Sequence, residues 1–187
     1  NHSSGKMGYA IAEAARDRGA KVVLVSASKG LSNPPLVDVV LVETAQQMCD
    51  EVLKSVKRAD ALIMAAAVSD YRPVESAPQK IKKKNEELNI PLTETTDILQ
   101  TARGNFVKVG FAAESQDLLG NAKSKVAIKG LDLIVANDIT EAESGFGADT
   151  NKVLLVDRYL KVEELPLLSK YDVSNRVLDR ILNLFRD

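Results

Sequence analysis

Histidine is almost missing from these 187 residues, with His2 the only one. A histidine-based metal cage or a charge-relay triad therefore has too few parts. Cysteine is as scarce: Cys49 stands alone, so no internal disulfide can form and a reducing compartment is expected. No reactive setting surrounds it in the sequence, and Cys49 is expected to pack on a helix. No apolar run reaches the roughly 20 residues that a membrane span needs, and no signal-peptide pattern is present, so no membrane contact is expected and the expected location is the cytoplasm. An excess of one charge is missing too. With 25 Lys and Arg against 26 Asp and Glu the net charge is -1, which argues against a nucleic-acid surface and confines any positive field to a local patch.

What is present is an ordinary globular composition, 45% hydrophobic and 27% charged, in a length that suits one domain with a core of its own. The opening run "NHSSGKMG" leads into helical apolar spacing at Met7, Ala10, Ile11, Ala14 and Ala15, with Gly19 placed to end the helix. "KVVLVS" (21–26) and "VDVVLVE" (37–43) read as strands, and Thr44 caps a helix over "AQQMCDEVLKSVKR". "ALIMAAAV" (61–68) is a continuous apolar run of the kind found when both faces of a parallel strand are covered. "VKVGFAA" and "LDLIVAN" are further strands separated by a helix over 116–129, and "KVLLVD" with an amphipathic helix over 173–185 completes the pattern. Alternating strands and helices predict a doubly wound, Rossmann-like α/β fold with a mostly parallel sheet.

Two irregularities stand out. A nucleotide-binding α/β unit normally starts with a strand feeding a turn, whereas here a helix feeds a strand, so a preceding strand outside this sequence is expected. The stretch 69–95 carries Pro73, Pro78, Pro91 and the basic run "KIKKK". Its length and composition predict a lid or binding loop, with a short hairpin in which "IKKK" turns at "NEE" into "LNIPL".

Ligands of open α/β sheets sit outside the carboxyl ends of the strands. Three such ends are unusual: "MAAAVSD" (64–70), "GFAAES" (110–115) and "VANDIT" (135–140). Runs of alanine let a flat ligand approach the backbone; each alone also fits tight packing, but three together favour a ligand crevice. "KIKKK" (80–84) by default is a solvated face, yet in a lid a lysine makes a mobile point charge for phosphate. Lys125 and Lys129 lie four apart and share a helix face. "SSGKMG" fits neither the P-loop nor the dinucleotide fingerprint. Asn1, Ser3 and Ser4 can cap the helix, hold an anion, or do both.

Taken together, "NHSSGKMGYAIAEAARDRGAKVVLVS", "AAAVSDYRP", "KIKKK", "TTDIL", "VGFAAES", "KGLDLIVAND" and "GFGADTN", in this order, resemble the bacterial phosphopantothenate-cysteine ligase family across essentially the whole chain. That domain is usually fused behind a flavin-dependent phosphopantothenoylcysteine decarboxylase in coenzyme A biosynthesis, and the family's domain starts earlier, with a strand and a "TAGGT"-like turn. The resemblance implies a single ligase domain over 1–187 that joins cysteine to 4'-phosphopantothenate through an acyl-cytidylate made from CTP, with Mg2+ and as a homodimer. It implies catalytic roles for Asn1, on the intermediate, and Lys80, in the lid. It implies CTP contacts at Met64, Ala65, Ala66, Asp70, Lys80, Thr96, Asp97, Ile98, Leu99, Phe111, Lys125 and Lys129. Ser3, Ser4 and Gly5, together with Ala136, Asn137 and Asp138, fall to the phosphopantothenate side. Thr96 stands where the family usually has proline, and Ser115 where threonine is common. No metal ligands are assigned, which suits an ion held by nucleotide phosphates and water.

Two rival readings set the tests. A nicotinamide-dependent reductase would need a dinucleotide fingerprint and a Tyr-x-x-x-Lys pair, and neither is present. A non-catalytic nucleotide-binding module would bind CTP without turnover.

Overall fold

In a computed structural model the structure describes residues 3–75, 77, 79–82, 87–114, 117–138 and 149–186. The chain runs α1 (Lys6–Asp17), β1 (Val23–Ser26), β2 (Asp38–Leu41), α2 (Ala45–Ser55), β3 (Ala61–Met64), β4 (Tyr71–Pro73) and β5 (Leu92–Glu94). It continues through α3 (Ile98–Thr101), β6 (Val107–Glu114), α4 (Leu118–Lys129), β7 (Leu133–Asp138), β8 (Thr150–Asn151) and β9 (Val153–Asp157). β10 (Val162–Glu164), β11 (Leu168–Ser169) and α5 (Lys170–Leu184) close it.

The central sheet has the order β10-β9-β7-β6-β3. β3, β6 and β7 are parallel, whereas β9 and β10 extend the sheet antiparallel. β1 and β2 form a separate parallel pair. Strand alternation sorts the core into two halves. Val109, Leu133, Val135 and Leu155 face Val173, Val177 and Ile181 of α5, with Met7 of α1 packed alongside. Ile134, Ala136 and Val156 face the other way, onto Met48 and Val52 of α2, Ile98 and Leu99 of α3, and Ala122 and Val126 of α4. Helices on both faces are what doubly wound means, and each fully buried aliphatic side chain contributes about 1.5–3 kcal/mol.

Local chemistry explains several boundaries. Thr44 and Gln47 build a reciprocal cap at α2, the Thr44 hydroxyl accepting from Gln47 N at 3.1 Å and Gln47 Oε1 accepting from Thr44 N at 3.1 Å. α5 begins at Lys170, three residues before the sequence-based start at Val173, because Ser169 caps it by accepting from Asp172 N at 3.0 Å. The apolar run 61–68 is a strand only as far as Met64. Beyond it the chain leaves the sheet: the pairing with β6 ends at Met64–Gly110, while β6 continues beside β7. Gly110 leaves room for two leucines to close over the strand: a Cβ there would lie 2.9 Å from Leu131 Cδ1 and 3.2 Å from Leu99 Cδ1.

The expected hairpin is corrected. Residues 81–82 of "IKKK" and 88–91 of "LNIPL" carry no strand; only the last residue of "LNIPL", Leu92, does, and it opens β5, whose antiparallel partner is β4 at the other end of the segment. The prolines explain this, because Pro91 cannot donate to a ladder but its carbonyl can accept, which it does from Val74 N at 3.0 Å. Residues 83–86, where the turn was expected, lie outside the described residues, as does Gln116 at the expected start of α4. Cys49 is buried in the core beside α3, and burial, with a smaller effect from Asp50, pushes its thiol pKa up, as fits a packing role.

Candidate functional site

The parallel strands end together. Met64 is level with Gly110, and Ala112, Ala113 and Glu114 of β6 run beside Ala136, Asn137 and Asp138 of β7. β9 enters at the same edge, Val153 lying opposite Asn137. The loop before α1 comes to this end as well. The Ser28 hydroxyl, just beyond the end of β1, donates to the Ser4 carbonyl at 3.4 Å, and Asn151 Nδ2 reaches Met7 Sδ at 3.5 Å. Gly5 turns the chain into α1 at φ 79°, a left-handed conformation, with Ser28 Cβ only 3.0 Å from where a Cβ would sit. Ser4 and Gly5 thus lie at a helix start beside the end of β1, with Ser3 just before them. Asn1, the other residue expected there, lies outside the described residues together with His2.

A second group lines the opposite face of the sheet. Asp97 caps α3 by accepting from Gln100 N at 3.0 Å, and its other carboxylate oxygen takes the Lys129 ammonium at 2.9 Å. Burial works to raise the Asp97 pKa, but the Lys129 ammonium and the backbone N–H groups of Gln100 and Leu99 outweigh it, holding the carboxyl below its usual range. Asp70 is drawn toward Thr96 because its carbonyl accepts from Thr95 N at 2.8 Å. Thr95 has a buried hydroxyl without a hydrogen-bond partner.

The expected residues differ sharply in what they can touch. Ala66, Asp70, Lys80 and Thr96 are exposed, and Ala65, Asp97 and Phe111 half-buried. Met64, Ile98 and Leu99 are buried, and Ala136 is 0% exposed within the core. The methyl group of Ala136 therefore cannot meet a ligand in this conformation, a correction to its expected place on the phosphopantothenate side; it fills the space beneath α4 instead. Lys80 makes no ion pair among the described residues, in keeping with a solvated position in the segment between β4 and β5. Lys125 and Lys129 lie on α4, Lys129 as its last residue, where a cation also complements the helix dipole.

Sequence reasoning missed the group around Lys170. Lys6 Nζ pairs with Asp149 at 2.7 Å, Lys170 N donates to the Asp149 carbonyl at 3.0 Å, and Lys170 Nζ lies 3.4 Å from Asn151 Oδ1. The signals are in the sequence: "GADTN" is among the motifs that carry the family resemblance, and Ser169 with Asp172 three residues on spells a helix start. Among the described residues no three His, Cys, Asp or Glu side chains gather as a metal site.

The sequence model for the DNA/pantothenate metabolism flavoprotein C-terminal domain matches residues 1–185. The chain belongs to this family. It is 42% identical over 188 residues to the coenzyme A biosynthesis bifunctional protein CoaBC of Bacillus subtilis, covering 98% of this chain and 46% of that protein. With CoaBC of Escherichia coli K12 it shares 41% over 196 residues, covering 94% and 48%. The chain spans about half the length of these relatives. A crystal structure of the C-terminal domain of CoaBC superposes with a TM-score of 0.83 at 38% identity, covering 99% of this chain and 85% of that one. The DNA/pantothenate metabolism flavoprotein of Streptococcus pneumoniae, at 22% identity and a TM-score of 0.81, shares the fold. The family read from the motifs is the family found by comparison.

Proposed function

We propose that this domain joins cysteine to 4'-phosphopantothenate in a CTP-dependent reaction. The carboxylate of 4'-phosphopantothenate attacks the α-phosphorus of CTP and pyrophosphate leaves. The amine of cysteine then attacks the acyl-cytidylate carbonyl, forming the amide and releasing CMP and a proton. The observation that carries this reading is family membership over residues 1–185, joined to the convergence of the α1 loop with the ends of β3, β6 and β7. Such chemistry asks for positioning and charge stabilisation more than for acid-base groups, which suits a chain with one histidine.

In this reading Asn1 holds the intermediate, Lys80 closes over it, and Lys125 and Lys129 meet the triphosphate. Asp70, Asp97, Phe111 and the backbone at 64–66 and 96–99 receive the nucleotide. Ser3, Ser4, Gly5, Asn137 and Asp138 serve the phosphopantothenate. Mg2+ arrives on the nucleotide phosphates, which is how that ion is commonly carried. The domain works in the cytoplasm as a homodimer, completed by a preceding strand and fused to a decarboxylase as in CoaBC. Support for the dimer comes from the arm between β4 and β5, which exposes Tyr71, Val74, Ile81, Leu88, Ile90 and Leu92.

The test is pyrophosphate release from CTP and 4'-phosphopantothenate, with and without cysteine, with ATP and NADPH as parallel controls. Release that requires both substrates, followed by an amide product on adding cysteine, supports the ligase. CTP binding without release would leave a nucleotide-binding module, and NADPH oxidation would favour a reductase.

A further inference from the structure

Lys129 is the last residue of α4, where a lysine ordinarily answers the free carbonyls of its own helix. Two of those carbonyls are met by the chain itself, Leu131 N donating to the Val126 carbonyl at 3.0 Å and Gly130 N to that of Ala127 at 3.4 Å. The Lys129 ammonium crosses instead to α3, 2.9 Å from Asp97 Oδ2. α4 runs from the end of β6 back to the start of β7, so the Lys129 backbone lies on the side away from the strand ends, but helical side chains lean toward the start of their helix. Asp97 holds the ammonium on that side. It opens α3, at the end away from the Ala102 carbonyl that Lys108 holds, and two residues earlier Thr95 N donates to the Asp70 carbonyl at 2.8 Å, tying this corner to the loop beyond β3. The carboxylate has little left to offer a ligand, because Oδ1 accepts from Gln100 N at 3.0 Å and Oδ2 from Lys129. Burial alone would raise its pKa, but Lys129 and the Gln100 and Leu99 N–H groups outweigh that and keep it ionised. An ionised carboxylate repels phosphate, whereas the ammonium beside it spends one of three N–H groups on Asp97 and keeps two for another acceptor. At 31% and 32% side-chain exposure the pair adds about 1 kcal/mol or less to stability. What it chiefly does is fix the direction of a long side chain.

We infer that Asp97 is a positioning residue: it does not touch the nucleotide but holds the Lys129 ammonium where a polyphosphate can accept from its remaining N–H groups. The inference rests on the ligase reading, in which Lys129 meets the triphosphate of CTP. The two members of one ion pair then play different parts, Lys129 binding the anion and Asp97 aiming Lys129. A lysine fixed beforehand loses less side-chain freedom when the nucleotide arrives, so the gain falls on nucleotide affinity more than on fold stability.

The experiment is a double-mutant cycle of wild type, Asp97→Asn, Lys129→Gln and the double variant, reading KM for CTP, KM for 4'-phosphopantothenate, kcat and Tm. Lys129→Gln is expected to raise KM for CTP about tenfold, the scale of one charge-assisted contact, while KM for 4'-phosphopantothenate stays within about twofold. Asp97→Asn keeps an acceptor for Gln100 N and should raise KM for CTP about threefold, the share of that contact owed to preorganisation. The double variant should be no worse than Lys129→Gln, since Asp97 then has nothing to aim. A double variant impaired by the product of the single effects would overturn the inference, because Asp97 would be acting on its own. So would an unchanged or lowered KM for CTP in either single variant, or a rise shared equally by both substrates that merely follows Tm. Should wild type bind CTP without ligation, the ligase reading fails separately, and the same cycle read in Kd for CTP decides the inference by the same pattern. A wild type that binds no CTP overturns both.

Discussion

Two lysines of this chain, Lys108 and Lys170, are equally buried at 7% exposure, and they sit in different kinds of surroundings. Lys108, at the start of β6, donates from Nζ to the carbonyls of Leu99 and Ala102, each at 2.9 Å. The ammonium closes the end of α3, where carbonyls lack helical partners. Burial first, and then Arg103, lower its pKa. Lys170 is lowered by burial too, but its next influence is another lysine, and a cavity opens beside it. The first arrangement satisfies backbone carbonyls; the second sets an ammonium against the Asn151 side chain, with Lys6 and Asp149 close by. Burial of a charged residue is thus no guide to its role until its neighbours are known.

The largest effect should come from removing the structural member of this pair. Lys108→Ala leaves two buried carbonyls unpaired and a space beside α3, for an expected loss of about 2–4 kcal/mol. Urea unfolding measures the loss, and KM values in the residual folded enzyme should stay near wild type. Lys170→Gln keeps a donor for Asn151 and should cost less in urea unfolding than Lys108→Ala. If the two variants behaved alike in both readouts, the contrast between the lysines would fail.

A pH series sharpens it further. Each lysine binds its proton less readily folded than unfolded, so between the folded-state pKa and the ordinary value of about 10.4 the unfolded chain holds more protons. Stability contributed by these groups therefore rises as pH climbs through that window. Lys108→Ala and Lys170→Gln should each flatten the rise, as read from Tm against pH.

Lys129 supplies a third case, half-exposed and paired to a carboxylate. Asp97→Asn keeps a cap acceptor for α3 but removes the ion pair, and should cost about 1 kcal/mol or less. Because the Asp97 pKa is depressed in the fold, its contribution is complete above the unfolded value and is lost as pH falls through the folded one. Wild type and Asp97→Asn should accordingly converge in stability under acid. The smallest expected change, about 1 kcal/mol or less, belongs to Thr44→Ser. It retains a hydroxyl for the α2 cap and lies far from all three lysines, so any KM shift in it would measure the background of the comparison.

Much of this architecture was legible beforehand because it depends on local pattern. The apolar runs at 107–113 and 131–137 became β6 and β7, the Thr44 cap became the start of α2, and the shared face of Lys125 and Lys129 follows from helical spacing. The antiparallel pairing falls on β4 and β5 and not on the described parts of 80–91, because it is set by where the segment leaves and rejoins the body of the protein. Ala136 was expected near a ligand because it lies close to a strand end, but alternation turned its methyl group into the core.

What the sequence alone determined is the class of fold, the order of its elements and the family, because periodicity, caps and short motifs are properties of neighbouring residues. Only the tertiary structure decided that Asp97 meets Lys129, and that Lys6, Asp149, Asn151 and Lys170 gather at one place. Those residues lie far apart along the chain, and charges interact according to distance and burial in space, which no local pattern records.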